Sequence, residues 1–326
     1  MSKQIKRIGV LTSGGDAPGM NAAVRAVVRT GLTNNVEVIG IRRGWNGLIS
    51  GDFQVMQTDN VSRIIHRGGT ILYTARSEEF RTEEGQKKAV ATCKMIGLDG
   101  IIAIGGDGTF NGALALSKHG IPVIGIPATI DNDIGCSHYT IGFDSACNAA
   151  IHCIDMLRDT MQSHERCSVV EVMGRRAGNL ALYVGISTSA TVVLIPEREL
   201  DFQTDVVDKI RAARLGGSTH FMVVVAEGVG NSFEIANRIQ EEIGITPCVT
   251  VLGHIQRGGS PTARDREVAS RMGYTAVKTL LEGKENRIIA TQDGQLIDIE
   301  INEALAMKKK FQMDRYDILE AITRSQ

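Results

Sequence analysis

The sequence predicts an α/β protein of two doubly wound domains with largely parallel sheets. Three observations carry that expectation: short apolar runs alternate with helix-like stretches, turn-forming residues bound the runs, and the alternation starts afresh near Ile141. In the first series IGVLTS (8–13) reads as a strand, GMNAAVRAVVRTGL (19–32) as a helix and VEVIGIR as a strand. DGIIAIGG then leads into the helical NGALALSK, and IPVIGIP follows as a core strand of a parallel sheet. The second series opens with the helical FDSACNAAIHCIDMLRDTMQ, then SVVEVMG, helical AGNLALYVGIS and TVVLIP. It continues with a helix around DVVDKIRAAR, the strand HFMVVVAEG, the helix EIANRIQEEI and the strand VTVLGH. No Pro/Ser-rich linker, low-complexity segment or short repeat interrupts the pattern.

Composition narrows the function. At 326 residues the chain exceeds the usual single domain, so two domains or one large α/β domain are expected. Apolar residues at 43% and charged residues at 22% are ordinary for a globular protein, and a net charge of −1 gives no global attraction to nucleic acid. The six cysteines (93, 136, 147, 153, 167 and 248) form no CxxC pair, which suits reduced thiols and a cytoplasmic location. The first residues, MSKQIKRIGVLTSGGD, pass from basic positions directly into a strand without a signal-peptide core. No apolar stretch approaches membrane-span length, so no membrane partner is expected.

Three strands are expected to run into glycine loops: TSGGDAPGMN (12–21), HRGGTILYTAR (66–76) and IGGDGTFNG (104–112). Glycine at a strand-to-helix turn lets backbone N–H groups approach a phosphate, and the next helix N-terminus adds partial positive charge. A tight turn is the plain alternative for any one of them; three together point to an anionic ligand. No lysine follows the glycines as a Walker A loop requires, and Asn111 stands where the third glycine of a Rossmann fingerprint would fall. Asp107, an acid inside a phosphate loop, would repel phosphate unless a cation such as Mg²⁺ lay between them, which favours a magnesium nucleotide.

Arginines supply the complement. SHERCSVVEVMGRRAG carries Arg166, Arg175 and Arg176 around a strand, and LGHIQRGGSP carries His254 and Arg257 past another strand's end. Arginine forks recognise phosphate bidentately, whereas a lone arginine is more simply a solvated charge. In PATIDNDIG (127–135), Asp131 and Asp133 flank an asparagine straight after an apolar strand. Two readings stand: an Asx-type turn, or a site that handles protons or metal-bound phosphate.

With DND, GGDG, MGRRAG and GHIQRGGSP assembled, the chain resembles the bacterial ATP-dependent 6-phosphofructokinases over nearly its full length. The resemblance implies a phosphofructokinase-like fold, a homotetramer, Mg²⁺ with ATP as co-substrate, and fructose 6-phosphate as acceptor in glycolysis. It assigns 1–141 and 256–306 to an ATP-binding domain, and 142–255 and 307–326 to a fructose 6-phosphate-binding domain. It makes Asp131 the general base on the sugar 1-hydroxyl, with Thr129 and Asp133 beside it. Asp107 becomes the magnesium-linked acid, and Arg175 the group that stabilises charge on the transferring phosphoryl. Gly15, Arg76, Ser77, Gly106, Gly108 and Thr109 resemble ATP contacts. Met173, Gly174 and Glu227 match positions that hold the sugar, and Arg166, His254 and Arg257 those that hold its 6-phosphate.

The sequence departs from the family pattern in places. Cys248 stands where an arginine commonly reaches a neighbouring subunit's sugar phosphate. Ala128 stands where ATP users commonly carry glycine and pyrophosphate users lysine. Trp45 occupies a position where an aromatic near the adenine is common, with simple packing as the alternative. Of the family's effector site, Arg25, Arg29 and Arg158 remain, while Ser189 and Thr191 replace a glycine and a glutamate, and Gly216, Ser218 and Thr219 stand where lysines are usual. Two rival readings stand beside this one, the first sharing GGDGT but not GHIQRGGSP. One is a GGDGT-type kinase with another acceptor or a pyrophosphate donor, and the other is a catalytically silent sugar-phosphate-binding subunit.

Overall fold

The computed structural model describes residues 4–323. They form two compact units. The first comprises the residues up to Ile130, Ile134–Ser145 and Arg257–Lys309; the second comprises Asp131–Asp133, Ala146–Gln256 and the residues from Lys310 onward. The strands in chain order are β1 (Arg7–Thr12), β2 (Glu37–Ile41), β3 (Phe53–Met56), β4 (Gly100–Gly105), β5 (Val123–Pro127) and β6 (Cys167–Val172), then β7 (Val192–Leu194), β8 (Phe221–Ala226), β9 (Cys248–Val251), β10 (Arg287–Gln292) and β11 (Gln295–Glu300).

The first unit is built on a seven-stranded sheet of order β11-β10-β5-β4-β1-β2-β3. Its five inner strands are parallel and the edge strands β3 and β11 are antiparallel. Strands β4 and β5 are buried along their whole length, as sheets covered on both faces require, whereas β3 and β11 are partly exposed. The order reverses at β1, which pairs with β2 on one side and β4 on the other, so the loops leaving β1 and β4 flank a topological switch point. On one face the helices Met20–Thr33 and Ala263–Leu281 pack tightly: a Cβ on Gly273 would lie 2.7 Å from Ala26 Cβ and 2.8 Å from Ala23 O. On the other, Trp45, Phe80, Phe110 and Leu116 fill a core with Leu11, Ile101 and Val123.

The second unit carries a four-stranded, wholly parallel sheet of order β7-β8-β6-β9. Val169, Val192, Val223 and Val225 meet Val206, Ile210 and Ile239 from its helices in a separate core. Both sheets answer the expected α/β class. One strand expectation needs correction: HRGGTILYTAR follows no strand, because Thr58–Val61 is a 3₁₀ turn and residues 62–76 form turns and irregular backbone. Among the described residues no helix is long and apolar enough to cross a membrane.

Candidate active site

In the first unit, the three glycine segments meet at the carboxyl end of β1. The Ser13 amide donates to Ile104 O at 3.0 Å, and its carbonyl accepts from Thr109 Oγ1 at 3.0 Å. A Cβ on Gly105 would fall 2.3 Å from that hydroxyl and 2.4 Å from that carbonyl, so only glycine lets the loops after β1 and β4 lie side by side. Segment 66–76 is drawn to the same strand end by side chains. Thr12 Oγ1 donates to Tyr73 O, Thr74 Oγ1 to Gly14 O, and Asn21 Nδ2 to the carbonyls of Arg67 and Gly68.

Asp107 opens the helix Asp107–Ser117, where its carboxylate suits the positive end of the helix dipole. Gly106, just before it, is extended, and Gly108, just after, has open space around its missing Cβ. Nothing in the chain's own packing demands glycine at 108. Thr109, by contrast, is buried: its hydroxyl is spent on Ser13, and its amide donates to Gly106 O. Arg76 is exposed, and the Ser77 hydroxyl accepts from the Phe80 amide at 3.1 Å. Arg257 Nη1 donates to Asp16 O at 2.9 Å, and that nitrogen would lie 2.7 Å from a Cβ on Gly15, so a side chain there would have to move the guanidinium. Thr129 lies beside Gly106, its carbonyl held by Thr140 Oγ1 at 2.6 Å.

Trp45 is overturned as an adenine platform. It is 4% exposed, and its ring stacks on Phe80 with centroids 4.6 Å apart, while its indole edge sits where a Gly112 side chain would be. The packing alternative holds.

In the second unit, Asp131 is 2% exposed at the start of the DND turn, and Asn132 takes a left-handed φ of 48°. Asn179, first residue of the helix Asn179–Ser187, donates through Nδ2 to the carbonyl of Asn132 at 3.1 Å and that of Asp131 at 3.5 Å. Past β6, Gly174 and Arg175 have φ of 145° and 56°. Glu227, following β8, holds this turn by accepting from the Arg175 amide at 2.6 Å and the Gly174 amide at 3.1 Å. Arg175 Nη1 thereby lies 3.9 Å from Asp133 Oδ2 on a side chain that is 64% exposed. An ion pair so exposed adds well under about 1 kcal/mol of stability, so its significance is orientation. The Met173 amide donates to the fully buried Gln256 at 3.4 Å. Asn179 and Gln256 are missing from the sequence reading; a polar residue opening a helix just after MGRRAG was the available signal for the first.

The sugar-phosphate candidates do not all come together. Arg175, Glu227 and His254 follow the carboxyl ends of β6, β8 and β9. Arg166 and Cys248 stand at the amino ends of β6 and β9, where Cys248 pairs with Ser168. A six-residue strand separates the two groups, roughly 17–20 Å. Of the effector candidates, Arg25 and Arg29 share a face of Met20–Thr33. Burial, and behind it the Arg29 charge, hold the Arg25 guanidinium below its ordinary pKa. Arg158 donates to Thr188 O, Ser189 is left-handed at φ 48°, and the Thr191 hydroxyl is spent on the Met222 amide at 3.2 Å.

Residues 7–280 match the family model described as Phosphofructokinase. An ATP-dependent 6-phosphofructokinase of Clostridium botulinum is 53% identical over 321 residues, covering 98% of this chain and all of that protein. Its counterpart in Clostridium novyi is 52% identical with the same coverage. A phosphofructokinase structure from Saccharomyces cerevisiae superposes with a TM-score of 0.91 at 32% identity over 98% of this chain, which spans 50% of the yeast chain. A pyrophosphate-dependent phosphofructokinase from Marinobacter aquaeolei gives 0.83 at 22% identity over 99% of this chain and 92% of its own, a likeness of fold alone.

The glycines separate by purpose. A Cβ on Gly68 would lie 2.3 Å from the backbone oxygen of Gly259, whereas one on Gly108 meets nothing within 4 Å. Gly68→Ala is expected to destabilise the protein by about 1–3 kcal/mol. Gly108→Ala, in a helix, should leave stability equal or raise it by up to about 1 kcal/mol. Urea unfolding of both variants measures the contrast, and equal losses would contradict it.

Proposed function

The chain belongs to the phosphofructokinase family, and from that premise we propose that it transfers the γ-phosphoryl group of ATP to the 1-hydroxyl of fructose 6-phosphate, giving fructose 1,6-bisphosphate and ADP. The observation that carries this reading is the DND turn, which keeps one aspartate buried and turns its companion toward Arg175. A phosphate or sugar sensor has no use for a sequestered carboxylate in a turn whose second acid pairs with a cation; proton abstraction beside a phosphoryl group does.

The first unit takes the nucleotide and the second the sugar. Asp131 accepts the proton of the sugar 1-hydroxyl as that oxygen attacks, and Arg175 faces the charge that develops on the transferred group. Catalysis is otherwise a matter of positioning, with little covalent work for the protein. Among the described residues no group of three or more His, Cys, Asp or Glu could hold a metal by itself. That fits Mg²⁺, which keeps few protein ligands and is held largely by nucleotide phosphates, with Asp107 as the protein carboxylate. When bound it supplies neutralisation of the β- and γ-phosphate oxygens. Open space at Gly108 and the small, uncharged Ala128 support ATP over pyrophosphate.

Because Arg166 lies a strand's length from His254 in one chain, it serves a neighbouring subunit's sugar phosphate in a homotetramer, as would the residue at 248. The six free cysteines suit the cytoplasm.

Asp131→Asn is expected to lower kcat by about 10²–10⁴-fold with little change in the KM for fructose 6-phosphate, read in a coupled assay of fructose 1,6-bisphosphate formation. A near-normal kcat would reduce Asp131 to a turn residue. Cys248→Arg restores a cation worth roughly 1.5–3 kcal/mol in a charged hydrogen bond. The expected result is a KM for fructose 6-phosphate about tenfold lower or better at similar kcat; an unchanged KM would mean that Arg176 or another residue fills the role.

Regulation should be weak. With Thr191 bonded to a neighbouring strand and no acid in its place, a magnesium nucleotide lacks a ligand at the effector position, and a trianion lacks the lysines. Millimolar phosphoenolpyruvate or ADP should shift the half-saturation for fructose 6-phosphate by less than about threefold, below the usual allosteric range. Strong inhibition with raised cooperativity would refute this.

A further inference from the structure

A buried carboxylate of the first unit that takes four hydrogen bonds is left unused by the proposed chemistry. Asp265, in the first turn of the helix Ala263–Leu281, is fully buried. Its Oδ1 accepts from Tyr139 Oη at 2.5 Å and the Gly142 amide at 2.7 Å. Its Oδ2 accepts from the Ser145 amide at 2.9 Å and the Ser145 hydroxyl at 2.5 Å, and that hydroxyl accepts in turn from the Thr262 amide. A buried carboxylate is costly unless hydrogen-bonded, and this one also stands at the N-terminus of the helix Phe143–His164, whose dipole favours it. Burial pushes its pKa up, while the bonds from Ser145, Tyr139 and Gly142 pull the other way.

The segment it grips, Tyr139–Ser145, is the backing of the catalytic loop. Thr140 Oγ1 holds Thr129 O at 2.6 Å, the Ile141 amide donates to Pro127 O at 3.0 Å, and Ile141 bridges Ala128. The same segment presses on the first glycine loop. A Cβ on Gly19 would lie 2.6 Å from Ile141 Cγ2, and one on Gly142 would lie 2.6 Å from Ala17 Cβ. One carboxylate therefore fixes the backbone of 127–129, two residues before Asp131, and the seating of the loop after β1.

We infer that Asp265 is a positioning residue for phosphoryl transfer, setting the backbone of 127–129 from which the chain runs on to Asp131. The inference rests on Asp131 being the base. A reacting group displaced by about 1 Å can lose on the order of 10²-fold in rate, so the role should appear in kcat rather than in binding.

Asp265→Asn keeps the volume but turns one acceptor into a donor facing N–H groups. The test measures kcat, both KM values, thermal midpoint and ATP binding for this variant, for Asp131→Asn and for the double variant. Positioning predicts a kcat about 10–100-fold lower, KM values within about threefold, and little further loss when the substitution is added to Asp131→Asn. A lowered thermal midpoint with wild-type kcat per nucleotide-binding site would make Asp265 purely structural, and multiplicative losses in the double variant would likewise overturn the inference. A near-normal kcat for Asp131→Asn would sink the base assignment and this inference with it. With Asp131→Asn impaired and Asp265→Asn unimpaired, only the inference falls. Should Asp265→Asn not fold, Tyr139→Phe removes one of the four donors at almost constant volume. It should lower kcat by about threefold or more at unchanged KM, and an unaltered kcat counts against the role.

Discussion

The geometry at the strand ends of the first unit depends on one close approach, the meeting of the Ser13 carbonyl and the Thr109 hydroxyl over the bare Cα of Gly105. Parallel pairing of β1 with β4 brings the two strand ends together, but adjacency alone would leave the loops splayed by a side chain. Glycine removes the obstacle and threonine ties the gap. The Thr109 hydroxyl thereby gives its proton to Ser13, and Asp107 and Gly108 are left on the open side of the first helical turn. A buried bond between loops 96 residues apart in sequence is what allows a short glycine motif to present a carboxylate and an unobstructed backbone together.

The second unit uses backbone conformations that are costly by themselves. Asn132 and Arg175 are both left-handed non-glycine residues, a state that needs support from the surroundings. Asn179 supplies it to the first through two carbonyls, and Glu227 supplies it to the second through two amides. Each anchor comes from a different element than the turn it holds, so the direction of Arg175 toward Asp133 is fixed by Glu227 in the turn after β8 and Asn179 at the start of the helix Asn179–Ser187 together.

Much of this was legible in the sequence, for identifiable reasons. Strands buried on both faces have no polar alternation, so β1, β4, β5, β6 and β8 stand out as apolar runs, and the alternating helices follow from them. The edge strand β3, FQVM, and the hairpin strand β11, QLIDIE, carry mixed, half-exposed patterns and gave no such signal. HRGG suggested a strand end because glycine has two uses: Gly68 is small to let the Gly259 backbone pass, in a segment that follows a 3₁₀ turn and no strand. Trp45 could be read either way until its stacking on Phe80 was seen. Gln256 and Asp265 gave no signal because their partners Met173 and Ser145 lie 83 and 120 residues away, while Asn179, 48 residues from Asp131, offered only its place at a helix start just after MGRRAG.

The interleaving of the two units has a consequence for how the chain comes to be folded. Strand β5 lies inside the first sheet only because β10 pairs against it, and β10 is made after the whole second sheet. During synthesis, β5 therefore stands as an uncapped, wholly apolar edge while more than a hundred residues emerge, a template for wrong pairing between nascent chains. The long loop closure also places the protein among slow, high-contact-order folders. The helix Ala263–Leu281, which seals the face beside Met20–Thr33, arrives equally late, so the unit that begins first must wait for most of the chain before it can close.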